Sequence, residues 1–369
     1  MNKIILYATL LLLPVTSCDN NISLPQEDIE PHTVLVYMIA TNSLSAYAQD
    51  DIEEMIEGVA IANSPGSHLL LYEATYNDAP SLYEIATING TTKKHLIKKY
   101  SSDIRSTEIK RMSEVIADMQ SYAPADKYGL VLWSHATGWL RTLEKDYTTT
   151  RPLDFGDDYG HTMSITDLAN AIPDNTFDFI YADACYMGCV EIAYQLRNKT
   201  RYYISSPTET LAWGMPYEKN IPCFFESNIN LVQACQNTHD YYATQGSYST
   251  ISLVDCSMME EIANLCRQIH STSDTQVVPG NIQCYNRNSR HVFYDFLQYT
   301  TILASPQQAK ELYEMTNKTV IYKAATPKFG DITIDAENYS GLSTYIPGTA
   351  STVNEKYYKT LDWYNKIYN

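Results

Sequence analysis

Short, continuous apolar runs alternate with stretches of helical periodicity along most of the chain. Residues 33–40 read TVLVYMIA, an unbroken apolar run of the kind that a strand buried on both faces requires. Residues 42–60 then carry Leu44, Tyr47, Ile52, Met55, Ile56 and Val59 at helical spacing. A second strand is expected at 69–72. Residues 82–88 and 95–100 predict a hairpin, with Asn89-Gly90 as its turn, because that pair tolerates the positive φ of a two-residue turn. Residues 107–122 predict an amphipathic helix whose inner face holds Ile109, Met112, Val115, Ile116 and Met119. Residues 128–133 are the next strand.

The segment 141–159 shows no periodicity and reads as a long polar loop. A short helix follows over 166–172, capped by Ser164 or Thr166. Phe179-Ile180-Tyr181-Ala182 is a buried strand between Asp178 and Asp183. Residues 187–196 return to helical spacing, with Met187, Val190, Ile192, Ala193 and Leu196 as the inner stripe. Strands are expected at 202–204, ending at Ser205-Ser206-Pro207, and at 248–254. Beyond Cys256 the pattern gives helices over 258–269, 307–316 and 353–367, and a short strand near 342–346. Such alternation predicts an α/β fold, a mostly parallel sheet flanked by helices on both faces. Residues 33–256 would form its core, and 257–369 a C-terminal extension packed on that core.

The chain has 369 residues, 44% of them hydrophobic, enough for a large core. Its net charge of −17 argues against nucleic acid as a partner, which calls for a basic face. The N-terminus reads as a targeting segment. Lys3 precedes an apolar run over 4–13 that is too short to span a bilayer comfortably. It ends in Val15-Thr16-Ser17-Cys18, which resembles a bacterial lipobox: removal of 1–17 as a signal peptide would leave Cys18 N-terminal and lipidated. The alternative is an ordinary secretory signal with a chance cysteine behind it. Residues 18–32 are polar, with Pro25, Pro31 and several acids, and read as a flexible tether. A domain held at the bacterial cell envelope by lipid alone is therefore expected, on either face of the outer membrane.

Eight cysteines include Cys18. The other seven lack the dense spacing of a disulfide scaffold, and an odd number outside the cytoplasm leaves at least one thiol free. Cys185 is the candidate. It stands at the C-terminal end of a predicted strand and opens a helix, where an α/β sheet puts its working residues. A helix N-terminus there would favour the thiolate. A buried structural cysteine is the other reading. Cys185 and Cys189 are spaced like two ligands on one helix face, yet no paired C-x-x-C completes a zinc site, and no metal is expected. His135 also ends a predicted strand, 50 residues before Cys185. One short helical unit separates them, so their strands would be neighbours. A thiol nucleophile needs an imidazole that takes its proton and returns it to the leaving group. It also needs backbone N–H groups aimed at the developing oxyanion, which Ala136 and Cys185 would supply. The alternative for His135 is an ordinary loop histidine.

At this point the chain resembles a clostripain-family cysteine peptidase, a relative of the caspase and gingipain fold group. The resemblance rests on Leu132-Trp133-Ser134-His135 with Gly138-Trp139, and on Asp183-Ala184-Cys185-Tyr186-Met187-Gly188 with Val190-Glu191. It extends to the 202–206 strand, to 214–217, and to Gly341-Leu342-Ser343-Thr344-Tyr345-Ile346-Pro347, all in family order. It implies a caspase-like fold with 33–256 as the catalytic core, His135 as general base and Cys185 as nucleophile. It places Asp183 at the floor of the S1 pocket, with Ser205 and Ser206 bordering the substrate. Cleavage of polypeptides after Arg or Lys follows, because a buried carboxylate rewards a cationic side chain and penalises others. Taken alone, Asp183 also reads as an acid complementing a helix N-terminus.

The sequence departs from the family in three places. Gly usually follows the histidine; here Ala136 keeps the N–H but tolerates positive φ poorly. An Asp-Asn pair after the first strand becomes Thr41-Asn42. Acids around Gly214 give way to Leu211-Ala212-Trp213 and Met215-Pro216, a more apolar S1 wall. Relatives are often zymogens cut in the loop after the histidine, where this chain offers Arg141, Lys145 and Arg151, the last two preferred. Some relatives use calcium. No cofactor is required here, although Asp154, Asp157 and Asp158 lie close together and could lend oxygens to Ca²⁺ without EF-hand spacing. A monomer acting on protein or peptide substrates with basic residues is expected. Two other functions fit the same residues: a catalytically silent surface binding protein, and a Cys-His amidase or transpeptidase acting on the cell envelope.

Overall fold

The computed structural model describes residues 31–141, 154–287 and 291–369. The signal peptide, Cys18, most of the tether, Lys145 and Arg151 lie outside these residues. In chain order, β1 (His32–Ile39) leads to α1 (Ser45–Ala62), β2 (His68–Ala74), β3 (Ser81–Ile88), β4 (Thr91–Lys99), α2 (Ile109–Tyr122) and β5 (Lys127–Trp133). There follow β6 (Phe155–Asp158), β7 (His161–Met163), α3 (Ile165–Ala171), β8 (Phe177–Asp183), α4 (Val190–Gln195), β9 (Thr200–Ser205), α5 (Tyr217–Phe224), α6 (Leu231–Thr244) and β10 (Thr250–Asp255). The rest supplies α7 (Met259–Thr272), β11 (Tyr294–Asp295), α8 (Phe296–Leu303), α9 (Pro306–Thr319), β12 (Val320–Ala325), β13 (Lys328–Phe329), β14 (Ile332–Thr333), β15 (Ser343–Thr344), α10 (Thr352–Tyr358) and α11 (Asp362–Tyr368).

Nine strands form one sheet in the order β12-β10-β9-β8-β5-β1-β2-β3-β4. The five central strands run parallel. Antiparallel strands close both flanks. The central strands are apolar on both sides because both sides are covered. Leu35, Tyr37 and Ile39 face a core built with α2, α3, α4, α7 and α11. Val34, Val36 and Met38 face a second core built with α1, α5 and α6. The chain leaves β1 toward β2 on one side and later resumes at β5 on the other. Loops at the C-terminal ends of β1 and β5 therefore diverge, and a crevice opens between them, the usual ligand position in such sheets.

The structure corrects several expectations. The helix after Cys185 begins only at Val190. Residues before it cannot be helical, because the Gly188 N–H donates to the Ser206 carbonyl at 2.7 Å and the Gly188 carbonyl accepts from Ser343 N–H at 2.9 Å. Cys185 thus has no helix N-terminus directly behind it. The stretch expected as one loop over 141–159 ends in a hairpin, β6 with β7, turning through Tyr159 and Gly160 at positive φ. Residues 353–367 divide between α10 and α11, with Leu361 extended between them. The chain after 256 packs on the core as expected, and it also contributes β12, the ninth strand of the sheet. Its Trp363 and Ile367 join the same apolar cluster as Leu35.

Candidate active site

Strands β5 and β8 are adjacent and parallel, and Trp133 pairs with Asp183 at their C-terminal ends. Two residues further along each strand's continuation come His135 and Cys185. The two loops touch: a Cβ on Gly138 would lie 2.7 Å from the Tyr186 carbonyl oxygen and 2.9 Å from the Phe293 ring. Gly138 sits at φ +66°, so glycine is required there on both counts. Tyr186, next to the cysteine, also takes positive φ, 59°, and its ring stacks on Phe293 at 5.0 Å.

His135 is half-buried. Its Nε2 lies 2.8 Å from the hydroxyl of Ser43, which follows β1. The backbone around it is zipped to β6: Gly156 N–H donates to the His135 carbonyl at 2.9 Å, and Thr137 N–H donates to the Asp154 carbonyl at 3.1 Å. Ala136 faces Phe155 in this pairing. The bonds come from the residues either side of it, so the ladder leaves the Ala136 N–H unused. Ala136 is outside the positive-φ region, and the strain expected of Ala at this position does not arise. Thr41 and Asn42 secure the same hairpin. The Thr41 hydroxyl donates to Asp158 Oδ1 at 2.7 Å, and Asn42 Nδ2 donates to the Asp157 carbonyl at 2.8 Å.

The three acids considered for calcium are engaged with protein donors. Asp158 also accepts from Ser106 N–H at 2.7 Å, and Asp157 from Gly160 N–H at 2.6 Å. Asp154 pairs with Arg141 at 3.1 Å. Burial nevertheless holds the Asp154 carboxyl up at about 7. Among the described residues no group of three or more His, Cys, Asp or Glu side chains could hold a metal ion.

Cys185 is half-buried, and the loop after β9 lies across it. The Thr210 N–H donates to Sγ at 3.3 Å, and the thiol donates back to the Thr210 carbonyl at 3.5 Å. Tyr186 N–H donates to the Thr208 carbonyl at 2.8 Å, continuing the contact. Gly188 permits it: a Cβ there would lie 2.4 Å from Pro207 N. Glu209 in this loop is tied to Arg287 by a bond of 2.6 Å from Nε. Burial pushes the Cys185 thiol up to about 12, with the Glu209 and Asp183 carboxylates adding to the rise. Cys185 is therefore a neutral thiol in this conformation. Cys185, Cys189, Cys223, Cys235, Cys256, Cys266 and Cys284 are all free.

Beside the sulfur lies a pocket lined by Asp183, Ser205, Ser206, Thr210, Gly214 and Met215, among others. It is narrow, with about 20 Å³ open to the centre of a water molecule. Asp183 is buried at the pocket, where Oδ2 accepts from Met215 N–H at 3.0 Å and Tyr217 OH at 3.2 Å. Burial raises its carboxyl to about 6 against those two donors. Ser205 is buried at the end of β9, and the Ser206 hydroxyl bonds Thr250 Oγ1 at 2.7 Å. The sequence did not point to Ser43 or to Asp51. Asp51, on α1, accepts from Trp133 Nε1 at 2.6 Å, close to Asp183.

The fold, with a thiol and an imidazole beyond the ends of adjacent parallel strands, is that of a caspase-like cysteine peptidase. The chain belongs to the clostripain family, whose model matches residues 36–368, and it is a cysteine-type endopeptidase. It is similar to an inactive zymogen C11 protease from Parabacteroides distasonis, at 33% identity over 92% of this chain and 99% of that one, with a TM-score of 0.82. A secreted C11 cysteine protease from Bacteroides thetaiotaomicron, solved with an irreversible peptide inhibitor, is 30% identical over 91% and 98%, with a TM-score of 0.79. A clostripain from Bacteroides thetaiotaomicron ATCC 29148, bound to the peptide inhibitor BTN-VLTK-AOMK, is 25% identical over 56% and 95%, with a TM-score of 0.51. No match was found among curated proteins.

Proposed function

We propose that the chain cuts polypeptides after Arg or Lys through a Cys185–His135 dyad, and that it is made as a zymogen. The carrying observation is the Trp133–Asp183 register, which sets both residues at the same height on adjacent strands. In this reading Cys185 Sγ gives its proton to His135 and attacks the scissile carbonyl carbon. The oxyanion is held by the N–H groups of Ala136 and Cys185. Collapse expels the amine, which takes the proton from His135, and leaves a thioester. Water then loses a proton to His135, attacks the thioester and releases the acid and the thiol. None of these steps draws on a metal.

Asp183 supports the basic preference. A carboxyl at a pocket that excludes water interacts strongly with a cation and offers nothing to an apolar side chain. Ser205 and Ser206 border the same pocket. The inhibitor of the Bacteroides thetaiotaomicron clostripain carries the VLTK sequence, consistent with lysine at this subsite. Thr210 on the sulfur and the narrow pocket support a latent precursor, and the inactive zymogen from Parabacteroides distasonis is a relative. Activation in this reading is self-cleavage after Lys145 or Arg151. Arg141 is a poorer candidate, since its guanidinium is held by Asp154 and packs over Tyr357. A lipid on Cys18 would tether a monomeric enzyme to the outer membrane. Among the described residues no helix is long and apolar enough to cross a membrane.

The test uses fluorogenic peptides with Arg, Lys, Ala or Leu before the reporter, on wild type and Cys185→Ala. Turnover confined to Arg and Lys, absent in the mutant and unchanged by a chelator, is expected. Equal turnover of the Leu peptide would overturn the specificity. Intact-mass analysis of the same two proteins tests processing: a single uncut chain in both would remove the zymogen proposal.

A further inference from the structure

We propose that Asp51 is a second acidic determinant of the specificity pocket, supplied by α1 from behind Gly214, so that a cationic substrate side chain is held by two carboxyls rather than one. The inference rests on the Arg/Lys reading above and deepens it.

Three observations carry it. A Cβ on Gly214 would lie 2.9 Å from Asp51 Oδ2, 3.2 Å from Asp51 Oδ1 and 3.0 Å from Asp183 Oδ2. Both carboxyls therefore converge on Gly214 in the pocket wall, and glycine there puts no side chain between them. Second, Asp51 is buried, with 2% exposure, and faces inward from its helix beside Ile52 and Met55. Its one hydrogen-bond donor is the Trp133 indole, so nothing cationic neutralises it. Third, the loop 211–216 brings no acid of its own to this wall, only Leu211, Ala212, Trp213, Gly214, Met215 and Pro216. Glu209, two residues before this stretch, also lines the pocket, but its carboxylate is paired with Arg287, whereas Asp51 on α1 has no cation.

A pair of buried acids with no cation is stable only while protons are retained. Burial, then Asp183, raise Asp51 to about 9. Asp183 itself stands at about 6. The groups facing Asp51 are Asp183 on β8, Trp133 on β5, Tyr217 on α5, Tyr242 on α6, and Asp50 and Glu54 on its own helix. None is basic. The empty pocket holds Asp51 as the neutral acid at pH 7. An entering guanidinium or ammonium supplies the missing cation, and the Asp51 proton leaves to solvent as the positive side chain arrives. The filled pocket then holds one cation between two carboxylates and keeps one net negative charge, with Asp51 the newly ionised group.

The experiment compares peptides that differ only in arginine against citrulline before the reporter, a neutral near-isostere. The reacting atoms are the same, so the ratio of kcat/KM values cancels the ionisation of Cys185 and His135. In wild type the ratio should rise from pH 6 to pH 9. In Asp51→Asn it should drop by ~10- to 100-fold at pH 8, the worth of one hydrogen bond to a charged group, and level off near pH 7. A far-UV circular-dichroism spectrum and a denaturant midpoint matching wild type show that the mutant folds. A wild-type ratio that is high and an unchanged ratio in Asp51→Asn would overturn the role of Asp51 while leaving Arg/Lys specificity intact. A wild-type ratio near one would overturn both. If the mutant does not fold, the wild-type profile decides alone: a plateau reached by pH 7 excludes Asp51.

Discussion

The hydroxyl of Ser43 lies 2.8 Å from Nε2 of His135. It joins the loop after β1 to the loop after β5, across the point where the strand order reverses. A hydroxyl accepting the Nε2 proton would leave Nδ1 as the basic nitrogen and fix the ring plane. Ser43→Ala should lower kcat by about 2- to 10-fold, the worth of one ordinary hydrogen bond. KM should change little, the acid limb of the pH profile should shift, and Ser43→Thr should restore it. An unchanged kcat and profile would mean that the contact is incidental.

Cys185 should be sluggish in the uncut chain. Its thiol is raised to about 12, so the thiolate fraction keeps growing with pH throughout the accessible range. Alkylation by iodoacetamide should increase up to pH 9 with no plateau. Protein cut in the segment 142–153, as proposed above, should react faster at pH 7 and level off. A plateau near neutrality in uncut Cys18→Ala, Lys145→Ala, Arg151→Ala protein would contradict the picture of a covered thiol.

Gly138→Ala should separate the loops that carry His135 and Cys185. The added methyl meets the Tyr186 carbonyl, and the backbone is at φ +66°. A cost of about 1–3 kcal/mol in stability is expected, read from denaturant midpoints, with a loss of activity well beyond what the unfolded fraction explains. Activity that simply tracks the folded fraction would show that the loops are not coupled through this contact.

The buried acids should make the protein less stable in alkali. Asp183 at about 6 and Asp51 at about 9 hold protons in the folded state that an unfolded Asp loses near pH 4. The folded chain therefore binds more protons than the unfolded one between about pH 4 and 9, and stability falls as pH rises through that window. Glu54 and Asp154, each at about 7, act in the same direction. Asp51→Asn should raise Tm at pH 8 and leave it nearly unchanged at pH 4.5. A Tm difference of equal size at both values would remove proton linkage as the cause.

The parallel centre of the sheet was readable because burial on both faces erases alternation, leaving runs such as TVLVYMIA that admit few other structures. His135 and Cys185 were readable because each directly follows such a run. The unread elements lack that signature. α5 contains Pro222 within the helix, which reads as a break. α6 buries Ala234, Cys235 and Thr238 between Leu231 and Tyr242, so small or hydroxylated side chains fill the middle of its inner stripe. β12 is an edge strand, half-exposed from Tyr322 onward. Ser43 left no trace, since a serine after a strand is common. Asp51 did leave one: Ala48, Asp51, Ile52 and Met55 form a single helical stripe, and a charge on an inward stripe asks for a reason.

Arg141 and Asp154 meet at 3.1 Å, with the residues 142–153 between them in sequence. The segment's two ends are thus joined through space as well as along the backbone. On one side of it lie β1 to β5, and on the other β8, β9, β10 and β12. The ladder from Gly129 and Phe179 to Trp133 and Asp183 fixes the register of the two sides without help from the peptide link. Two separate polypeptides, one ending at Arg141 and one beginning at Asp154, should then find each other as folding partners. One would carry His135 and the other Cys185, and peptidase activity would report their reunion.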